Sequence, residues 1–192
     1  MAPRKYSMDK RRAAVEETRQ RILEATLALH AEKGIFGTSW QDIAKHADVS
    51  VGTVYKHFPS LDELVPACGA LIMAITAPPS LEDATRIFRD AQVLEERIGH
   101  LISEMLDFYE RGEPYMELGA KERQLPPVRE WEGGRRAMRE GLAREALRPI
   151  QPDERMIRAV TALLDFPVFK SFRRHGVAKA KAEEILTGML LC

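Results

Sequence analysis

Residues 38–64 read TSWQDIAKHADVSVGTVYKHFPSLDEL, and the punctuation of this stretch decides the fold. Thr38 followed by Gln41 fits a capping box, which would satisfy the free amides at a helix start. Ile43, Ala44 and Ala47 then form an apolar stripe at helical spacing. Asp48 falls where the chain must turn, and Asp tolerates the left-handed backbone region. Val49 points inward and Ser50 is a good N-cap for a second helix. Val54 and Phe58, four apart, bury one face of that helix. Its other face presents Val51, Gly52, Thr53, Tyr55, Lys56 and His57. Pro59-Ser60 ends it, and Ser60 with Glu63 offers a cap for the next helix.

Two short helices joined by a tight turn make a helix-turn-helix, whose second helix can enter a DNA major groove. Gly52 would let the backbone approach closely. Thr53 and Val51 suit base edges and thymine methyls. Tyr55, Lys56 and His57 have the reach for phosphates or bases. From the residues alone, an ordinary solvated helical hairpin is an equally good reading.

A resemblance separates the two. Residues 49–58 match the run Val-Ser-x-Gly-Thr-x-Tyr-x-His-Phe at every fixed position, and Gly34, Phe36, Thr38, Asp42, Ile43 and Ala44 match upstream. The stretch resembles the DNA-binding domain of the TetR family of transcriptional regulators. The resemblance implies phosphate contacts from Thr38, Ser39, Tyr55 and His57. It implies base contacts from Val51, Thr53 and Lys56, with Ser50 and Gly52 in the same interface. Leu61 stands where the family usually has Lys, which implies the loss of one phosphate contact or helix-dipole partner.

Charge follows this division. The chain carries 29 Lys/Arg and 29 Asp/Glu. Residues 1–60 hold 10 basic against 7 acidic side chains, a net of +3, and residues 61–192 hold 19 against 22, a net of −3. Positive charge gathered at one end is the footprint of a nucleic-acid partner. Residues 1–12, MAPRKYSMDKRR, read as a flexible basic arm. The sequence suggests no membrane span and no signal peptide, so a cytoplasmic setting is expected. Cys68 and Cys192 lack metal or redox spacing.

Outside the motif the chain reads as helix throughout. A first helix over 13–33 ends at Gly34, and its apolar face should pack on Phe36, Ile43, Ala47 and Phe58. The three-helix domain covers 13–60, a connector helix 61–76, and a larger helical domain 77–192. Ser80 with Asp83 caps a short helix. Residues 93–111 form an amphipathic helix, stopped by Gly112 and Pro114. A short helix over 115–123, a loop at 125–127, a basic helix over 128–148 and two terminal helices over 153–174 and 177–191 complete the expectation of an all-α fold. No strand alternation is visible.

The resemblance implies that the second domain dimerises and binds a small molecule. The last two helices carry the apolar surface for a homodimer, because half-sites of a pseudo-palindromic double-stranded DNA operator require two reading heads. Alternatively that surface is the core of one chain. Met73, Phe88, Met105, Phe108, Tyr109, Tyr115, Met116, Trp131, Met138 and Phe166 are expected walls of a hydrophobic effector pocket. A repressor released by a small hydrophobic or aromatic ligand is the leading expectation. A binder without an effector, or an interaction protein that has lost DNA recognition, are the alternatives. His100 and Glu104 are four apart on one helix but have no third metal ligand. With no phosphate loop or nucleophile motif, no enzymatic activity, cofactor or metal is expected.

Overall fold

The computed structural model describes residues 5–191, with side chains from Met8 onward. Ten α-helices and three short 3-10 turns occur among them, and no strand. The described chain divides into two compact units. One holds residues up to Ala74 together with Glu117–Val128, and the other holds Ile75–Met116 with the residues from Arg129 onward.

In the first unit, α1 (Lys5–Lys33) leads to α2 (Trp40–His46), α3 (Val51–His57) and α4 (Leu61–Thr76). α1 starts at Lys5, so residues 5–12, read from sequence as part of a basic arm, are its first turns, exposed from Met8 onward; residues 1–4 lie outside the described residues. Unbroken helix formers from Lys10 to Val15 let the helix extend back. Gly34 ends it at φ 78°, and its N–H returns to the His30 carbonyl at 2.9 Å. This is the left-handed closure for which glycine is suited. The capping box that opens α2 sits one residue later than the sequence predicts. Ser39 and Asp42 form it, and Thr38 instead donates its hydroxyl to the Gly34 carbonyl at 2.8 Å. Asp48 takes φ 52° in the turn, and Ser50 caps α3 by accepting the Thr53 N–H at 3.1 Å, both as predicted.

Ile22, Thr26 and Leu29 of α1 are buried, as are Ile43, Ala44, Ala47, Val54 and Phe58. α1 packs on α2 and α2 on α3. Phe36, expected inside, is 55% exposed, and its neighbour Ile35 is buried instead. The left-handed turn at Gly34 sets which of the two points inward. The same unit takes in the distant segment Glu117–Val128, which includes a 3-10 turn at Glu122–Gln124.

α4 buries Leu64, Val65 and Cys68. Pro66 lies inside it and removes only the hydrogen bond to the carbonyl of Asp62, an exposed residue that water can serve. The stretch Leu61–Ile87 is long and apolar enough to cross a membrane by composition, unlike the expectation from sequence. The helix itself stops at Thr76, after 16 residues, and Ala77 has φ 41°. A span needs about 20 residues.

The second unit is built on α6 (Leu94–Met116), preceded by a 3-10 turn at Leu81–Asp83 and α5 (Ala84–Ile87). Ser80 and Asp83 make the predicted capping box. α6 runs through Gly112 and Pro114, which were expected to stop it. Pro114 lies in the last turn, and the carbonyl it leaves unserved belongs to exposed Glu110. The helix predicted over 115–123 is therefore the end of α6 and the 3-10 turn. α7 (Pro126–Leu147) begins on the two prolines read as loop, since proline's fixed φ suits a first turn.

The predicted helix over 153–174 is two: α8 (Glu154–Leu163) and α9 (Phe166–Arg174). Asp165 caps α9 by accepting the Phe166 N–H at 2.9 Å, and Pro167 occupies its first turn. After Gly176 at φ 71° the chain forms α10 (Lys179–Leu191). Ile98, Leu101, Ile102, Met105, Leu106 and Tyr109 form the buried stripe of α6, and Leu142, Ala146, Ile157, Val160, Phe169 and Leu186 close on it. Arg97, 7% exposed, donates to the carbonyls of Glu145 and Ala146 at the end of α7 at 2.7 and 3.1 Å, and its guanidinium stacks 4.5 Å from the Phe88 ring centre.

Candidate nucleic-acid interface

α3 is held by its buried face, Val54 and then Phe58, and presents the opposite face outward. Arg19 of α1 lies over the Phe58 ring at 4.9 Å, so the far end of the helix is pinned as well. Gly52, Tyr55 and Lys56 are exposed; Val51, Thr53 and His57 are half-buried. Lys45 and His46 end α2 and Lys56 and His57 end α3, so four basic or titratable side chains sit near the helix C-termini.

The hydroxyls have different jobs. Ser39 Oγ accepts the Asp42 N–H at 3.1 Å and donates to Asp42 Oδ2 at 2.7 Å. Lys33 Nζ donates to that same oxygen at 2.7 Å. This hydrogen bond first, and those from Ser39 after it, hold the Asp42 carboxyl far below the usual carboxylate range. Thr38 and Ser39 thus spend their protons inside the protein, and a phosphate would have to draw them away. Ser50 and Thr53 share one proton across 2.8 Å, which leaves the other hydroxyl free to donate outward.

Tyr55, 45% exposed, stacks on Trp40 with ring centres 4.8 Å apart and planes 28° from parallel. Trp40 is half-buried and braces the phenol, so that Tyr55 keeps little side-chain freedom to lose on binding.

Gly52 is informative by what does not surround it. A Cβ there would meet only Ser50 Oγ, at 3.8 Å, and its φ is not positive. The fold does not demand glycine at this position, and a helix would be steadier with alanine.

The other predicted residues lie elsewhere. Phe88, Met105, Phe108, Tyr109, Met116 and Phe166 are buried together in the second unit, with Met138 packed against them. Tyr115 and Trp131 are half-buried in that unit. Met73 stands apart from this group: it is 53% exposed, off the buried stripe of α4, and belongs to the first unit. His100 Nδ1 lies 2.9 Å from the Ile87 carbonyl, and Glu104 pairs with Arg86 at 3.1 Å, so each of the two has its own partner. No cluster of metal-ligating side chains occurs among the described residues. Sequence reasoning missed Glu122, one of whose partners, Ile35, lies 87 positions away along the chain. It also missed Arg139 and Asp165, which pair at 2.9 Å inside the second unit.

A sequence model described as "Bacterial regulatory proteins, tetR family" matches residues 22–68. The transcriptional repressor KstR of Rhodococcus jostii is 49% identical over 47 residues, 24% of this chain and 22% of that protein. The regulator AcrR of Shigella flexneri is 40% identical over 55 residues, 29% of this chain and 26% of that protein. The chain thus spans about a quarter of the length of these curated relatives. Two solved structures extend the likeness in fold alone. The multidrug-binding protein EbrR, complexed with imidazole, has a TM-score of 0.62 at 24% identity over 88% of this chain and 92% of its own. The Bacillus subtilis regulator FadR, complexed with stearoyl-CoA, has a TM-score of 0.61 at 16% identity over 89% and 96%. The matched residues, 22–68, are those that build and cap α2 and α3, and over them the chain carries the N-terminal segment of the TetR family of bacterial regulatory proteins.

Proposed function

We propose that this protein is a sequence-specific transcriptional regulator, acting as a homodimeric repressor in the cytoplasm. The observation that carries the reading is α3: a short helix fixed by Val54 and Phe58, with Gly52, Thr53, Tyr55 and Lys56 facing out. Gly52, Thr53 and Val51 meet base edges in the major groove. Tyr55 and His57 hold phosphates, with Ser39 and Thr38 at the start of α2, and Lys56 faces the bases. Ser50 orients Thr53 by the shared proton.

Two heads are needed for a pseudo-palindromic operator, with half-site centres about 34–36 Å apart. The terminal helices supply the contact. Much of the apolar surface there is spent inside one chain, since Ile157, Val160, Leu164, Phe169 and Leu186 are buried. Met156, Met189 and Leu191 remain exposed, at 43%, 56% and 39%, and Gly188 has open space around it. These form the dimer patch. The second unit takes a small apolar effector among its Met and aromatic residues, and occupancy lowers operator affinity.

Selection of bound fragments from a random DNA library at near-physiological salt tests the reading. Enrichment of a pseudo-palindrome is the expected result. A folded protein that enriches no sequence, or a half-site bound by a monomer, would overturn it.

A further inference from the structure

The core of the second unit contains a polar centre that neither the reading helix nor the dimer patch uses. Tyr109, 1% exposed, stands among Phe108, Phe166 and Phe169, with ring centres 5.3, 5.5 and 5.7 Å away. Its hydroxyl donates to the Leu164 carbonyl at 2.7 Å and lies beside Arg139. Burial, the largest influence, pushes the phenol up to about 12, so it stays a neutral donor.

Arg139 of α7 is 6% exposed. Its Nη2 pairs with Asp165 Oδ1 at 2.9 Å, while its Nε is buried with no hydrogen-bond partner. Nε and Nη2 lie along one edge of the guanidinium, the edge that a carboxylate grips with two oxygens. Asp165 meets that edge with one oxygen, which is also engaged with the Phe166 N–H as the cap of α9. Arg135 sits one turn earlier on α7. Burial lowers its pKa from the ordinary value, and it pairs with Glu132 at 3.9 Å, beyond hydrogen-bond length. Buried Arg139 and half-buried Arg135 therefore have one carboxylate oxygen between them at hydrogen-bond distance. A buried charged donor left unmade is costly, so a purely structural ion pair would close the fork. The Asp165 side chain is 45% exposed, so the cluster reaches solvent on that side.

We infer that Arg135, Arg139 and Tyr109 form the polar end of an effector site that takes an apolar molecule bearing one carboxylate. The carboxylate occupies the open half of the Arg139 fork and approaches Arg135, and the apolar body lies among Met105, Phe108 and Phe166. The inference rests on the reading of the second unit as an effector domain and narrows that effector to an anion.

The test is calorimetric titration of the full chain with matched pairs, octanoate against octanol and dodecanoate against dodecanol. The acid should bind roughly tenfold or more tightly than its alcohol, as a charge-assisted fork demands. Arg139→Met should remove the preference and leave alcohol binding in place. Arg139→Lys keeps the charge without the fork and should retain part of it; Arg135→Met should weaken it. If Arg139→Met does not fold, the other two variants carry the comparison. Equal affinity for acid and alcohol, or a preference that survives these variants, would overturn the anion site while leaving an apolar effector site standing. Binding of neither member of any pair would overturn both.

Discussion

The Glu122 carboxylate accepts the backbone N–H of Ile35 at 2.5 Å, across 87 positions of sequence. Its other oxygen accepts the Gly119 N–H at 2.6 Å, and the residue is 8% exposed. One buried side chain thus satisfies two amides and stitches the segment after α6 to the turn after α1, both within the first unit. Gly34 is part of this arrangement, because a Cβ there would lie 2.5 Å from Glu122 Oε1.

Glu122→Gln places an amide NH2 against one of those two N–H groups. Two donors then face each other in a buried site, so stability should fall by about 1–3 kcal/mol. Urea unfolding compared with the parent chain checks this. A change under about 0.5 kcal/mol, the range of surface substitutions, would show that the carboxylate is dispensable.

His30 lies close to the same carboxylate. Burial, the larger influence, lowers its pKa to about 4 from 6.5, and the Glu122 charge opposes the shift. The folded state therefore favours the neutral ring, and between those two values the unfolded chain binds more protons. Stability from this group is fully present above about pH 6.5 and is lost as pH falls toward 4. The loss should be of order 2–3 kcal/mol, and unfolding curves of His30→Gln should be flatter across that window.

Gly52→Ala should separate folding from binding. The fold has room for the methyl group, and helix propensity favours alanine by about 0.5–1 kcal/mol. The variant should melt at the same temperature or higher, yet bind operator more weakly because the methyl group holds α3 off the bases. Paired melting and gel-shift measurements check both halves. Undiminished affinity would remove Gly52 from the interface.

Tyr55→Phe keeps the stack on Trp40 and removes only the phenol hydroxyl. Operator affinity should drop by about 1 kcal/mol, the worth of one hydrogen bond, with no change in melting. Trp40→Leu, which unbraces the ring, should weaken binding as well.

Cys68 is 3% exposed, and burial pushes its thiol up to about 12. The thiolate is the reactive form, so the native protein should leave Cys68 unmodified by a disulfide reagent on a timescale where urea-unfolded protein reacts fully. Fast reaction in the native state would mean that α4 opens.

The parts legible in the sequence are those whose causes are local. Ser50 capping α3, Asp48 and Gly34 in the left-handed region, and the stripe from Ile98 to Tyr109 each follow from neighbours a few positions away. The errors arise where competing local signals are decided by packing. Thr38 and Ser39 are both good caps, and Phe36 and Ile35 are both apolar. Pro114 stops no helix because it falls in a last turn beside an exposed carbonyl. The break before α9 did have a local signal, Asp165 followed by Pro167, which is a cap and a first-turn proline. Glu122 and Arg139 had none, since the contacts that define them, to Ile35 and to Asp165, come from segments distant in the sequence.

The inclusion of residues 117–128 in the reading unit has a consequence for exchanging heads between regulators. The chain passes between the units at 74/75, 116/117 and 128/129. A chimera joined at a single point in α4 would carry Gly34 and Ile35 to a new host and leave their acceptor behind. A head moved in one piece should therefore lose stability in its new host unless residues 117–128 travel with it.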